Sequence, residues 1–228
     1  MSGKTIRIVH YLDAFNCYLS TREKNRPPIM VLHAWWGLND FLRSFCDRLA
    51  DEGFSTSAPD LYGGRNASTV KQAEDLSSKL DRKEAFGKIN ATLDYLLGEQ
   101  QLVGRRVGVI GFPLGGYFAL DLTSARGEVK AVVVFYATSP TRQWNKSEAS
   151  YLGHFAEKDP YESTIDVLDL EKSLKSAGKH VRFYMYPNTG HWFFESDRRD
   201  AYNPEASTLA WKRTVEFLRT TLRDRPTS

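Results

Sequence analysis

The sequence is poor in the features that mark specialised chains. Its 228 residues hold two cysteines, Cys17 and Cys46, without a C-x-x-C pair, which argues against a disulfide framework and for plain thiols in a reducing compartment. No apolar run approaches the roughly 18 residues of a membrane span, and the opening Met-Ser-Gly-Lys-Thr-Ile-Arg lacks the apolar core of a secretory leader. A cytoplasmic location with no membrane partner is therefore expected. The 31 Lys and Arg residues against 28 Asp and Glu leave a net charge of +3 that is dispersed without a basic block, so no nucleic-acid partner is expected. No cluster of His, Cys, Asp or Glu has ligand spacing, and neither a metal nor another cofactor is expected.

What is present is an ordinary globular composition, 41% hydrophobic and 26% charged. The length is about 1.5 times the ~150-residue prior, which favours one large α/β domain over residues 1–228. Short apolar runs alternate with amphipathic stretches, the pattern of a mostly parallel sheet flanked by helices. Strands are expected at 6–11, 15–19, 29–33, 54–58, 106–110, 129–136, 151–155 and 181–186. Helices are expected at 39–52, twice within 68–97, and at 117–124, 165–177 and 204–222. Gly53 and Gly178 stand where helix C′ glycines would.

Three segments carry chemistry. Arg106 to Ile110 is a β-branched strand that runs into Gly111-Phe112-Pro113-Leu114-Gly115-Gly116, a strand-turn-helix with the glycine frame of a nucleophile elbow but not its nucleophile. Gly153-His154-Phe155-Ala156-Glu157-Lys158-Asp159-Pro160 puts an acid just after a strand, with Asp159 the candidate and Glu157 its rival. Tyr186-Pro187-Asn188-Thr189-Gly190-His191-Trp192 puts a histidine in the loop after the last strand. Nucleophile position, acid, then histidine is the chain order of α/β-hydrolases.

With these segments, Val31-Leu32-His33-Ala34-Trp35-Trp36-Gly37-Leu38-Asn39, Arg48-Leu49-Ala50-Asp51-Glu52-Gly53-Phe54 and Ala58-Pro59-Asp60-Leu61-Tyr62-Gly63-Gly64 resemble the dienelactone hydrolase family from about Met30 to about Leu222. The resemblance implies an α/β-hydrolase fold with a mostly parallel central sheet. It implies Asp159 as the acid, His191 as the base, and backbone N–H groups near Trp35 and Leu114 as the oxyanion hole. Trp36, Arg65 and Trp192 are candidates for contact with a small-molecule ester or lactone, in a monomer or weak homodimer.

Two departures fall on the catalytic machinery. Where the family carries Cys or Ser, this chain has Pro113, which offers no nucleophile and is confined to a φ near −65° instead of the positive φ of an elbow. Where cysteine-type members carry Glu, this chain has Ala34, which points to a serine-type parent. Glu195 stands where dienelactone-cleaving members carry a second substrate-gripping arginine, and an acid there would repel a carboxylate. The expected function is an ester or lactone hydrolase scaffold disabled at residue 113. The alternative is a natural pseudoenzyme that binds a small apolar or lactone-like ligand or a protein partner. His33 and Asp60 are expected to be structural, the first hydrogen-bonded in the core and the second bracing a turn.

Overall fold

The structure, a computed structural model, describes residues 2–10, 13–23, 25–100, 106–141 and 143–223. Residue 11 of the first expected strand lies outside them. Contacts divide the chain into two compact units, Met1–Arg106 and Val107–Ser228.

The first unit opens with the antiparallel pair β1 (Lys4–His10) and β2 (Asp13–Ser20), and its strand order is β1-β2-β4-β3, with β3 (Pro28–Leu32) parallel to β4 (Ser55–Pro59). Every residue of β3 and β4 is buried, as the lack of polar alternation in Ile29-Met30-Val31-Leu32 requires. Helix α1 (Asp40–Asp51) starts on Asn39, whose side chain accepts from the Leu42 N–H, and it buries Leu42, Phe45, Cys46 and Leu49. It ends at Gly53, whose φ of +90° is open to glycine at little cost. Helices α2 (Val70–Ser78) and α3 (Arg82–Gln100) are the two expected in the polar stretch. Both cysteines are buried free thiols, and burial pushes Cys17 up to about 12 and Cys46 higher still, so neither supplies a thiolate.

The second unit is a run of four parallel strands in chain order: β5 (Val107–Gly111), β6 (Val129–Phe135), β7 (Ser150–Lys158) and β8 (Val181–Gly190). Crossovers are α4 (Pro113–Ala125), a 3₁₀ turn at Trp144–Lys146 and α5 (Thr164–Ser176), and α6 (Pro204–Thr221) closes the chain. None of the described helices is long and apolar enough to cross a membrane.

Three of the boundaries that differ from the sequence expectation bear on the site. Helix α4 begins at Pro113, four residues before the expected Tyr117, because proline's fixed φ suits the first helical position and its missing N–H is not needed there. Strand β7 continues past 155 to Lys158, and β8 past 186 to Gly190. Polar and turn-forming residues mask both extensions. Pro187 is tolerated because β8 pairs on one side with β7 and ends the order β5-β6-β7-β8.

Candidate active site

The extension of β7 and β8 brings the acid and the histidine together. Lys158 pairs with Gly190 after a register shift in β7 between Ala156 and Lys158, so Asp159 and His191 leave adjacent strands side by side. His191 Nδ1 lies 2.7 Å from Asp159 Oδ2, and the two side chains are only 4% and 3% exposed. The other carboxylate oxygen, Oδ1, accepts the N–H groups of Tyr161 at 2.9 Å and Glu162 at 3.0 Å. One oxygen is thus fixed by its own turn and the other holds the imidazole. An ionised carboxylate only accepts, so Nδ1 carries the proton and Nε2 is the basic atom. Glu157 does not compete: it is exposed and accepts from the Asn188 N–H at 2.8 Å.

Aromatic rings enclose the imidazole. The centroids of Tyr136, Tyr161 and Trp192 lie 4.8, 4.9 and 5.0 Å from that of His191. Tyr136 and Trp192 have φ of +38° and +70°, left-handed conformations that cost a residue with a bulky side chain about 1–3 kcal/mol and gather at functional sites. Sequence reasoning singled out Trp192 and missed the two tyrosines. Their only sequence signal is position: Tyr136 follows β6, and Tyr161 comes two residues after Asp159.

At the elbow, Phe112 alone separates β5 from α4, with φ −87° and ψ 168°. The positive-φ residues other than glycine are Asn25, Tyr136, Asn188 and Trp192 among the described residues, so residue 113 lies outside the strained region an elbow nucleophile occupies. The glycine frame survives for packing reasons. A Cβ on Gly111 would lie 2.4 Å from the Cα of Gly116, and one on Gly116 would lie 2.3 Å from the Cβ of Ala137. Phe112 stacks on Phe135 at 4.8 Å and meets Phe194 at 6.1 Å, which ties the elbow to the segment just after His191. Leu114 is the second residue of α4, among the first-turn positions whose N–H groups have no partner within the helix.

Two further carboxyls stand nearby. Glu195 is fully buried, and burial followed by the charge of Asp197 pushes it up to about 8. It is therefore neutral at pH 7, and the expectation that its charge would repel a substrate carboxylate is corrected. Burial likewise pushes Glu162 up to about 7, although the Thr138 hydroxyl donates to it at 2.7 Å.

The remaining candidates belong to the first unit. Trp35 is half-buried and meets Trp36 edge-on at 5.7 Å, while Trp36 is 1% exposed. Arg65 is exposed and its Nε donates to the Tyr62 carbonyl at 3.0 Å. His33 is a core residue: its Nδ1 meets the Ala34 carbonyl at 2.6 Å, and its Nε2 accepts the Leu61 N–H at 3.1 Å. Burial holds it neutral. Asp60 braces the following turn through the N–H groups of Tyr62 and Gly64.

Comparison with known proteins bears on the same segments. The sequence profile of the dienelactone hydrolase family matches residues 15–222. A "Putative carboxymethylenebutenolidase" of Aquifex aeolicus is 30% identical over 215 residues, 90% of this chain and 93% of that protein. "Protein usf" of Aquifex pyrophilus is 30% identical over 213 residues, covering 89% and 91%. Among solved structures, a dienelactone hydrolase-like promiscuous phosphotriesterase from metagenomic libraries superposes with a TM-score of 0.85 at 18% identity, covering 97% of this chain and 99% of that one. At that identity the likeness speaks for the α/β-hydrolase fold.

Proposed function

Because this chain belongs to the dienelactone hydrolase family, we propose that it is an ester or lactone hydrolase scaffold whose acid and base are kept and whose covalent step is removed at Pro113. The carrying observation is the buried 2.7 Å contact of His191 Nδ1 with Asp159. Such a pair holds an imidazole in the tautomer that takes a proton at Nε2, and a surface histidine needs no such arrangement.

In the serine-type parent, the hydroxyl at residue 113 attacks the carbonyl carbon and its proton passes to His191 Nε2. The tetrahedral oxyanion is received by backbone donors, of which the Leu114 N–H is one. His191 then returns the proton to the leaving alkoxide, and water hydrolyses the acyl-enzyme by the same route in reverse. Proline supplies no hydroxyl, so the first bond cannot form. What remains is water activated by His191, and the loss of a nucleophile leaves about 10³ to 10⁴ over the uncatalysed rate.

Pro113→Ser is the test. Hydrolysis of p-nitrophenyl esters or small lactones should rise at least 100-fold over the chain with Pro113. No gain across such a panel would refute the serine-parent reading. A His191→Ala variant of the chain as it stands should lose whatever slow hydrolysis it has, and an unchanged rate would rule out water activation by His191.

The three rings around His191 favour a second reading, a pseudoenzyme that holds a flat or apolar ligand beside the imidazole. A stoichiometric ligand retained through purification without turnover would favour it over residual catalysis.

A further inference from the structure

A second built site lies at the opposite end of the same strands. Arg182 and His191 are nine residues apart, eight of them along β8, roughly 25–30 Å of extended chain. Beside the start of β7 and β8 and the last turns of α6 there is a cavity of about 450 Å³. Its lining includes Leu152, Arg182, Tyr184, Arg213, Glu216 and Phe217. Arg182, Tyr184 and Tyr186 alternate along β8 and share one face, and α6 packs Arg213 against that face.

Arg213 is held from two sides. Its guanidinium carbon is 3.7 Å above the Tyr184 ring and 5.3 Å from that of Tyr186. Burial raises the Tyr186 hydroxyl, and the Arg213 charge partly offsets that rise. That hydroxyl is 2.8 Å from His154 Nδ1, and His154 Nε2 is 3.0 Å from Thr214 Oγ1. His154 and Tyr186 are 0% and 2% exposed. Burial and then the Arg213 charge push His154 down to about 3, so it is a neutral ring that accepts one hydrogen bond and donates the other. The hydrogen bonds linking Tyr186, His154 and Thr214 therefore run in one direction, and Arg213 packs on the tyrosine at their end. A buried polar network of this kind rigidifies the group at its end.

Arg213, packed on the tyrosine rings, is a half-buried cation. Neither Arg213 nor Arg182 has a carboxylate within ion-pair distance among the described residues. Nor does the exposed Glu216 on the cavity's rim make an ion pair with either. A guanidinium held on aromatic rings in the lining of a cavity is matched by a planar carboxylate, which takes two parallel N–H donors. The lining also offers apolar surface, from the buried Leu152 and the half-buried Phe217.

The geometry points to a binding site for a small aryl carboxylate, its carboxylate on Arg213 with Arg182 at the mouth and its ring against Leu152 and Phe217. The volume falls in the range of small-molecule sites and admits one or two fused rings. Glu216 opposes the ligand's charge and sets an upper bound on affinity.

Titration of the isotope-labelled full chain with 2-naphthoate, followed by amide and arginine Nε–H resonances, tests the site. Saturable shifts are expected at Arg182, Tyr184, Arg213 and Phe217 and none at His191. Arg213→Lys, which keeps the charge and loses the fork, should weaken binding at least 10-fold, and Arg182→Gln, on an exposed side chain, several-fold. Glu216→Gln should tighten it several-fold. Inorganic phosphate supplies charge without a ring and should bind at least 10-fold more weakly. Shifts that do not saturate, phosphate binding as tightly as naphthoate, or an unchanged affinity in both arginine variants would each overturn the assignment.

Discussion

Tyr136, whose ring lies 4.8 Å from that of His191, forms a buried polar pair with Glu195. Both are 0% exposed, and neither the phenol oxygen nor either carboxyl oxygen makes a well-formed hydrogen bond. They nevertheless feel each other: burial raises the Tyr136 hydroxyl first and the Glu195 charge raises it further, while the tyrosine lowers Glu195 slightly. The cheapest state of the pair is neutral, with the carboxyl protonated.

That state fixes a pH dependence. The Glu195 carboxyl titrates near 8 in the folded chain against 4.5 ordinarily, so the folded state binds more protons in between. Its contribution to stability is complete below about pH 4.5 and is lost as pH rises through 8, at a slope of up to about 1.4 kcal/mol per pH unit. Glu195→Gln removes this proton. The variant should match or fall slightly below the parent chain at pH 5 and exceed it at pH 8.5, measured by urea unfolding at both values. A stability difference independent of pH would show that Glu195 does not titrate in this window.

A second expectation concerns the orientation of His191. In the Pro113→Ser chain, Asp159→Asn should lower kcat by about 10⁴ while leaving circular dichroism and Tm nearly unchanged, because an amide at that place stabilises the wrong imidazole tautomer. The two backbone N–H groups that fix Asp159 Oδ1 can be received equally by an amide oxygen, so the turn is kept. A loss of less than 10-fold would mean that Asp159 is only a structural partner of the histidine.

Much of this arrangement is legible in the sequence because its physical cause is local. Asn39, the apolar spacing after it and Gly53 define α1 within one residue. The run Ala131-Val132-Val133-Val134-Phe135 has no polar face and becomes a strand buried on both sides. The site is less legible because its causes are tertiary. That Asp159 and His191 meet depends on Lys158 opposing Gly190 across two strands, and Glu157-Lys158 and Pro187-Asn188 give no strand signal of their own. The left-handed backbone of Tyr136 is imposed from outside the residue, since tyrosine has no local preference for it. The neutral state of Glu195 is a consequence of burial that spacing does not carry, and residue type alone suggested the opposite charge.

The contact of Gly116 with Ala137 offers a sign test of close packing at the elbow. In an ordinary helix interior Gly→Ala stabilises by up to about 1 kcal/mol. Here the new Cβ would lie 2.3 Å from the Cβ of Ala137, and Ala137 is 0% exposed, in the segment after β6 that leads on from Tyr136. Overpacking of this size costs about 1–3 kcal/mol and outweighs the helical gain. Gly116→Ala should therefore lower stability in chemical unfolding. The double variant Gly116→Ala with Ala137→Gly exchanges one methyl group for the other and should recover most of the loss, a coupling of at least 1 kcal/mol in a double-mutant cycle. A stabilising single variant, or additive effects in the cycle, would show that β5, α4 and the segment after β6 are not in the close contact on which the elbow's geometry depends.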